Sequence, residues 1–241
     1  VTTTGNGHTS NDRIVWIDCE MTGLDLTADA LIEVAAVVTD SELNVLGEGV
    51  EVVVAPPPGA LEQMNDFVRD MHTTSGLLLD LPTGTTLAEA QEQVLEYIRT
   101  WVPEPGKAPL AGNSVGTDKT FLDRDMPELV GYLHYRVIDV SSIKELARRW
   151  YPRVYFASPK KNGGHRALAD ILESIDELRY YRAALLVPQP GPDSKTAKAI
   201  AAEVVATSVA GGAAAASDGS ATGSASGTPA GTAVSGAPHP A

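Results

Sequence analysis

RIVWIDCEMTGLD, residues 13–25, runs from an apolar stretch straight into two carboxylates and a glycine turn. RIVWID, 13–18, has the short apolar run of a buried strand. Asp18 and Glu20 stand two apart, so on a strand both point to one face and Cys19 points to the other. Two carboxylates that close repel unless a cation lies between them. A D-x-E pair alone also fits a solvated strand end. The apolar run before it argues instead that both side chains are fixed at a sheet edge.

Working outward, LIEVAAVVTD, 31–40, and VLGEGVEVVVA, 45–55, are predicted as further strands, the second stopped by Pro56–Pro58. Short turns join the three into an antiparallel meander. A mainly helical stretch follows. It is clearest over 87–102, where Leu87, Ala90, Val94, Ile98 and Trp101 share a face and Thr86 with Glu89 forms a capping box. PLAGN, 109–113, is predicted as a short strand, 117–126 as a helix and YRVIDV, 135–140, as a fifth strand. Ser142 with Glu145 is predicted to cap the next helix, whose apolar face is Ile143, Leu146, Ala147 and Trp150. A last helix, 166–186, is predicted to bury Leu168, Ile171, Leu172, Ile175, Leu178 and Leu185. This is the element order of an RNase H-like α/β domain. It implies a five-stranded mixed sheet flanked by helices, with strands four and five parallel to strand one through right-handed crossovers.

Composition narrows the function. Apolar residues make up 43% of the 241 residues, enough for a core, and no apolar run is long enough to span a membrane. The formal net charge of −13 is a poor match for gripping long nucleic acid by its phosphates, which wants a basic stripe. It permits a very short nucleic-acid substrate, or positive charge supplied by metal ions. One cysteine, Cys19, excludes an internal disulfide and suits a reducing cytoplasm. Residues 1–12 read as a flexible polar arm without a hydrophobic signal region, and 13–187 as the folded domain. From Pro188 to 241 the chain is rich in Pro, Ala, Gly and Ser. A short Ala-rich helix is predicted over 194–206. Disorder is expected from Thr207 on, because this composition cannot offset its ordering entropy.

Two further segments carry acidic groups suited to a site. GNSVGTD, 112–118, delivers Asp118 after a strand and a turn, at the first turn of a helix. The helix dipole alone would favour an acid there. If strand four lies beside strand one, Asp118 also reaches the sheet edge of Glu20, where open α/β sheets bind ligands. GGHRALAD, 163–170, holds His165 and Asp170. On one continuous helix they would diverge. With His165 on the glycine loop and Asp170 one turn into the helix, both can face one site. Asp18, Glu20, Asp118 and Asp170 then offer the oxygen ligands that select hard cations such as Mg²⁺ or Mn²⁺. Four carboxylates suit two ions, the arrangement used for in-line phosphoester cleavage. A neutral His165 can take a proton from the attacking water. Glu33, Asp40 and Glu42 are set aside as residues of the sheet or its turn.

These motifs, in this order, resemble the DEDDh group of 3′–5′ exonucleases, of DnaQ-type fold. WIDCEMTGLD, HTTSGL, GNSVGTD, MPELVGYLHYRVIDVSSIKELARRW and HRALAD are similar to the oligoribonuclease family over about 13–186. The resemblance implies a homodimer that cuts very short RNA, above all dinucleotides, to mononucleotides. It implies that Asp18 bridges two metals, that Glu20 and Asp170 complete the site of the attacking water, that Asp118 serves the second ion, and that His165 is the general base. It also implies that Leu24 wedges against a base and that Phe67 and His72 border the 3′ nucleotide. By the same resemblance Ser114, Ser141 and Lys144 would receive the 5′ phosphate together with Arg136 from a second subunit, and His134 and Tyr135 would also enter from that subunit. Each of these substrate-facing residues also has a bland reading: turn, core, cap or solvated surface. Phe67 stands where the family usually has Trp. A trimming or proofreading exonuclease on longer ends, and a non-catalytic nucleotide-binding protein, are the alternatives.

Overall fold

The computed structural model describes residues 12–160 and 164–218. The predicted N-terminal arm, except Asp12, and the part of the tail beyond Asp218 lie outside the described residues. The chain divides into two units at Leu186/Val187.

The first unit is built on β1 (Ile14–Met21), β2 (Leu31–Thr39), β3 (Val45–Val53), β4 (Pro109–Gly112) and β5 (His134–Asp139), in the sheet order β3-β2-β1-β4-β5. β1, β2 and β3 pair antiparallel, and β4 and β5 run parallel to β1. The predicted mixed sheet is therefore present. The alternation of β1 sorts its side chains. Val15, Ile17 and Cys19 join the apolar cluster with Val94, Leu95 and Ile98 of α3 (Leu87–Trp101). Trp16 faces the opposite way, into the cluster with Ile171, Ile175 and Tyr181 of α8 (Ala167–Leu185). Asp18 and Glu20 continue the Trp16 row, so the strand's period carries both carboxylates toward α8.

Thr86 caps α3 by the predicted capping box, with the Glu89 side chain returning to the Thr86 backbone. A smaller cluster of Ile32, Met64, Leu77 and Leu81 seats α1 (Asp66–Thr74) and α2 (Leu77–Asp80). α4 (Gly116–Asp125) and α5 (Pro127–Tyr132) connect β4 to β5.

Two helices depart from the sequence reading. α6 (Val140–Trp150) begins directly at the end of β5, so its cap is Asp139 and not Ser142. Its predicted apolar face is only partly covered. Ala147 is buried and Ile143 packs against the core, but Leu146 and Trp150 are exposed. In α8 the buried stripe runs through Ala167, Ile171, Ser174, Ile175 and Tyr181, and Leu172 is exposed. The seam is rotated because two polar residues, Ser174 and Glu177, take buried positions. Periodicity counts apolar residues and cannot see that. α7 (Pro152–Phe156) links α6 to the loop before α8. In the second unit, α9 (Ser194–Asp218) covers the predicted short helix and continues past it. Alanine-rich sequence costs little to hold helical. Among the described residues no helix is long and apolar enough to cross a membrane.

Candidate active site

The site lies at the C-terminal end of β1. Asp18, Glu20 and Asp170 each place a carboxylate oxygen within 4.8 Å of the others. β1 supplies the first two. Asp170 comes from the first turn of α8, as the loop-then-helix reading requires. A cleft of about 450 Å³ is lined by Asp18, Asp170, His165, Asn113, Ser114, Lys144 and Ser174. His165 is exposed on the segment just before α8, with a left-handed φ of 47°.

Asp118 arrives where predicted, in the first turn of α4, but it stands apart from the trio. It is buried, and its Oδ1 accepts the Cys19 N–H at 3.0 Å. The carboxylate thus grips the β1 backbone between the two acidic residues. Burial, more than any neighbour, raises its pKa to about 6. Glu20 is pushed further, to about 8, first by burial and then by the charges of Asp170, Glu33 and Asp118. Burial and the surrounding acids together outweigh the pull of Arg166 on Glu20. An all-carboxylate donor set with that electrostatic deficit fits a hard divalent cation.

The α8 N-terminus is anchored by groups that the sequence reading set aside. Arg166 bonds Glu33 at 2.9 Å and Asp80 at 3.0 Å, and it also pairs with Glu51. Glu33 accepts the Ala167 N–H at 2.9 Å, and Glu51 accepts the Leu168 N–H at 3.2 Å. Strand carboxylates therefore satisfy the orphan donors that begin α8. Glu33 is fully buried, and burial raises its pKa against the opposing pull of the Ala167 N–H and Arg166. Removing one partner of such a buried pair costs about 3–5 kcal/mol. The available signal was positional, since Glu33 on β2 sits directly opposite Glu20 on β1.

The remaining predicted residues fall into three groups. Leu24 and Phe67 are 75% and 78% exposed, which rules out the core reading for Phe67. The turn that carries Leu24 is tight. A Cβ on Gly23 would meet an Asp29 carboxylate oxygen at 2.3 Å, and that carboxylate accepts the Thr22 hydroxyl. His72 is fully buried. Its Nε2 meets the Met21 carbonyl at 2.9 Å, its Nδ1 faces Glu20 at 3.9 Å, and burial lowers its pKa. Both ring nitrogens thus face the end of β1.

The second group gathers where β4 and β5 end. Ser114 and Lys144 line the cleft. Lys144 pairs with the buried Glu177 at 3.1 Å, and Glu177 also accepts from Asn113. Ser141 is bonded to Asp139, which the sequence reading did not single out. The third group, His134, Tyr135 and Arg136, begins β5. The His134 and Tyr135 rings stack at 4.5 Å, and the Arg136 guanidinium lies 5.4 Å from the Tyr135 ring centre. Because β1, β4 and β5 are parallel, this group lies at the sheet edge opposite the carboxylates.

The same domain is matched in known proteins. The family model described as Exonuclease matches residues 15–178. The oligoribonuclease of Streptomyces coelicolor is 73% identical over 82% of this chain and 98% of its own length. That of Cutibacterium acnes is 66% identical over 79% of this chain and 94% of its own. Among solved structures, Exonuclease I from Methylocaldum szegediense superposes with a TM-score of 0.51 at 20% identity, over 74% of this chain and 41% of that one. E. coli Exonuclease I in complex with an oligonucleotide gives 0.53 at 17%, over 72% and 41%. The chain spans about two fifths of those Exonuclease I chains, and at such identity they establish the fold alone.

Proposed function

The chain belongs to the oligoribonuclease family of exonucleases, and we propose that it is a 3′–5′ exoribonuclease that cuts very short RNA, dinucleotides above all, to mononucleotides. The observation that carries this reading is the carboxylate trio at the C-terminal end of β1, with His165 lining the same cleft.

Asp18, Glu20 and Asp170 would hold the divalent cations, Mg²⁺ or Mn²⁺, with Asp118 serving the second ion. When bound, two such ions supply the positive charge that stabilises the attacking and leaving oxygens of an in-line displacement. His165 takes the proton of the attacking water. Leu24 and Phe67 offer exposed apolar faces on which a base can rest. Ser114, Ser141 and Lys144 receive the 5′ phosphate. A closed phosphate end explains how a chain of net charge −13 handles RNA. The charge-assisted contacts form only when a terminal phosphate reaches them, and no extended basic groove is needed. The single cysteine fits a cytoplasmic setting.

A length series from dinucleotides upward, with 5′-labelled RNA, tests this reading. Efficiency is expected to fall steeply as the chain lengthens. Equal degradation of a long oligomer would favour the trimming-exonuclease alternative.

The family reading includes a homodimer. Tyr135 and Val137 on the edge strand and Leu146 and Trp150 on α6 are exposed apolar residues, the composition of a subunit interface. A two-fold dimer would carry Tyr135, His134 and Arg136 to the partner's cleft. Asp18→Asn and Tyr135→Ala proteins, each expected to be nearly inactive, should regain activity on mixing under subunit exchange, because one of the two sites then carries neither defect. A mixture with proven exchange and no recovered activity would place Tyr135 in its own chain's site.

A further inference from the structure

Three hydrogen-bond donors converge on one oxygen of Asp139. Oδ1 accepts from the Ser114 N–H at 3.0 Å, the Ser141 N–H at 2.9 Å and the Ser141 hydroxyl at 2.7 Å. Asp139 ends β5 and caps α6, whereas Ser114 lies in the turn between β4 and α4. Gly112 and Asp139 are in register across the two strands. One carboxylate therefore ties together the ends of two neighbouring parallel strands. Ser114 has a φ of 60°, a left-handed conformation that serine keeps only when its surroundings hold it. The bond from its N–H to Asp139 is part of that hold.

We propose that Asp139 is a positioning residue that sets the enzyme's preference for a 5′-phosphorylated end. The proposal rests on the reading of Ser114, Ser141 and Lys144 as the phosphate end of the cleft. Asp139 fixes the spacing of the two serines, which come from different loops. It also holds the one proton the Ser141 hydroxyl has to give, since an ionised carboxylate can only accept. To bind a terminal phosphate, Ser141 must turn that proton from Asp139 to the ligand. A phosphate is an anionic acceptor able to draw it across. A 5′ hydroxyl carries no charge and has no such pull. Asp139 thus withholds Ser141 from an unphosphorylated end and releases it to a phosphorylated one, discrimination by a competing internal partner.

The test compares kcat/KM of the full chain for a 5′-phosphorylated dinucleotide and for its 5′-hydroxyl counterpart, with divalent metal present. Wild type is expected to prefer the phosphorylated substrate. Asp139→Ala is expected to reduce the ratio on the order of tenfold, mainly through KM of the phosphorylated substrate, because the misplaced serines lose oriented contacts. Asp139→Asn keeps an acceptor oxygen in place and should retain more of the preference. If Asp139→Ala slows both substrates by one factor and leaves the ratio unchanged, Asp139 is merely structural and the proposal is overturned. Should Asp139→Ala fail to fold, Asp139→Ser, which can still cap α6 but has no carboxylate to span both loops, takes its place, and an unchanged ratio there overturns the proposal equally. A wild type indifferent to the 5′ phosphate would instead refute the underlying reading of the phosphate end, and the proposal with it.

Discussion

Asp18→Asn is expected to lower turnover by ~10³-fold or more while leaving the fold intact, since it removes charge from the reacting centre. Asp18 sits in the Trp16 row of β1, facing α8, with oxygens near both Glu20 and Asp170. Asn has the same shape but cannot neutralise a cation. The substitution also relieves repulsion in the metal-free protein, so Tm in chelator should equal or exceed that of wild type. The rise in Tm on adding Mg²⁺ or Mn²⁺ should shrink, because a ligand that binds the folded state more weakly stabilises it less.

The pH dependence of that rise gives a second handle. In the metal-free protein burial and acidic neighbours raise Glu20 from 4.5 to about 8. Between those values the folded state keeps a proton that the unfolded chain has lost, so metal-free stability falls as pH climbs through the window. A cation that replaces the proton should therefore stabilise wild type more at the upper end of the window than at the lower. An Asp18→Asn protein with normal activity and an unchanged metal dependence would remove Asp18 from the site.

The sheet was legible in the sequence because its signals are local. The strands of the meander are separated by short turns, and the Thr86–Glu89 box announces α3 directly. The same-face placement of Asp18 and Glu20 follows from the strand period alone. What stayed hidden depends on contacts across long stretches of chain. Glu33 looks like any strand residue until Arg166, far away in sequence, is seen to cover it. Asp139 looks like the last residue of a strand until the turn at Ser114 is brought beside it. The α6 face was misread for a related reason. Periodicity marks Leu146 and Trp150 as apolar, but it cannot say whether their partner is the same chain's core. His72 differs again. Its motif placed it near the site, yet only the packing shows it wholly buried beside Glu20. Residues that a motif marks as candidates were thus easier to find than those that hold them in place.

That distinction bears on His165, for which His165→Ala is expected to cost ~10²–10⁴ in kcat near neutral pH, the usual range for losing a positioned general base. The imidazole hangs from a fixed point. Arg166, the next residue, is held by Glu33, Glu51 and Asp80, and α8 begins immediately after it. His165 itself is exposed on the cleft wall with Asp18 and Asp170. KM should change little, since the base acts on the water and not on the bound nucleotide. Raising the pH should recover part of the rate, as hydroxide takes over the work of the missing base. A structural role makes a different prediction. The φ of 47° at this position strains most side chains, but Asn tolerates it. If His165 mattered only for the turn, His165→Asn would restore the backbone and with it the rate. With a general base missing, His165→Asn should fold as well as wild type and stay as slow as His165→Ala. Recovery of the neutral-pH rate in the Asn variant, or a wild-type rate in the Ala variant, would take His165 out of the chemistry and leave the proton of the attacking water to another group.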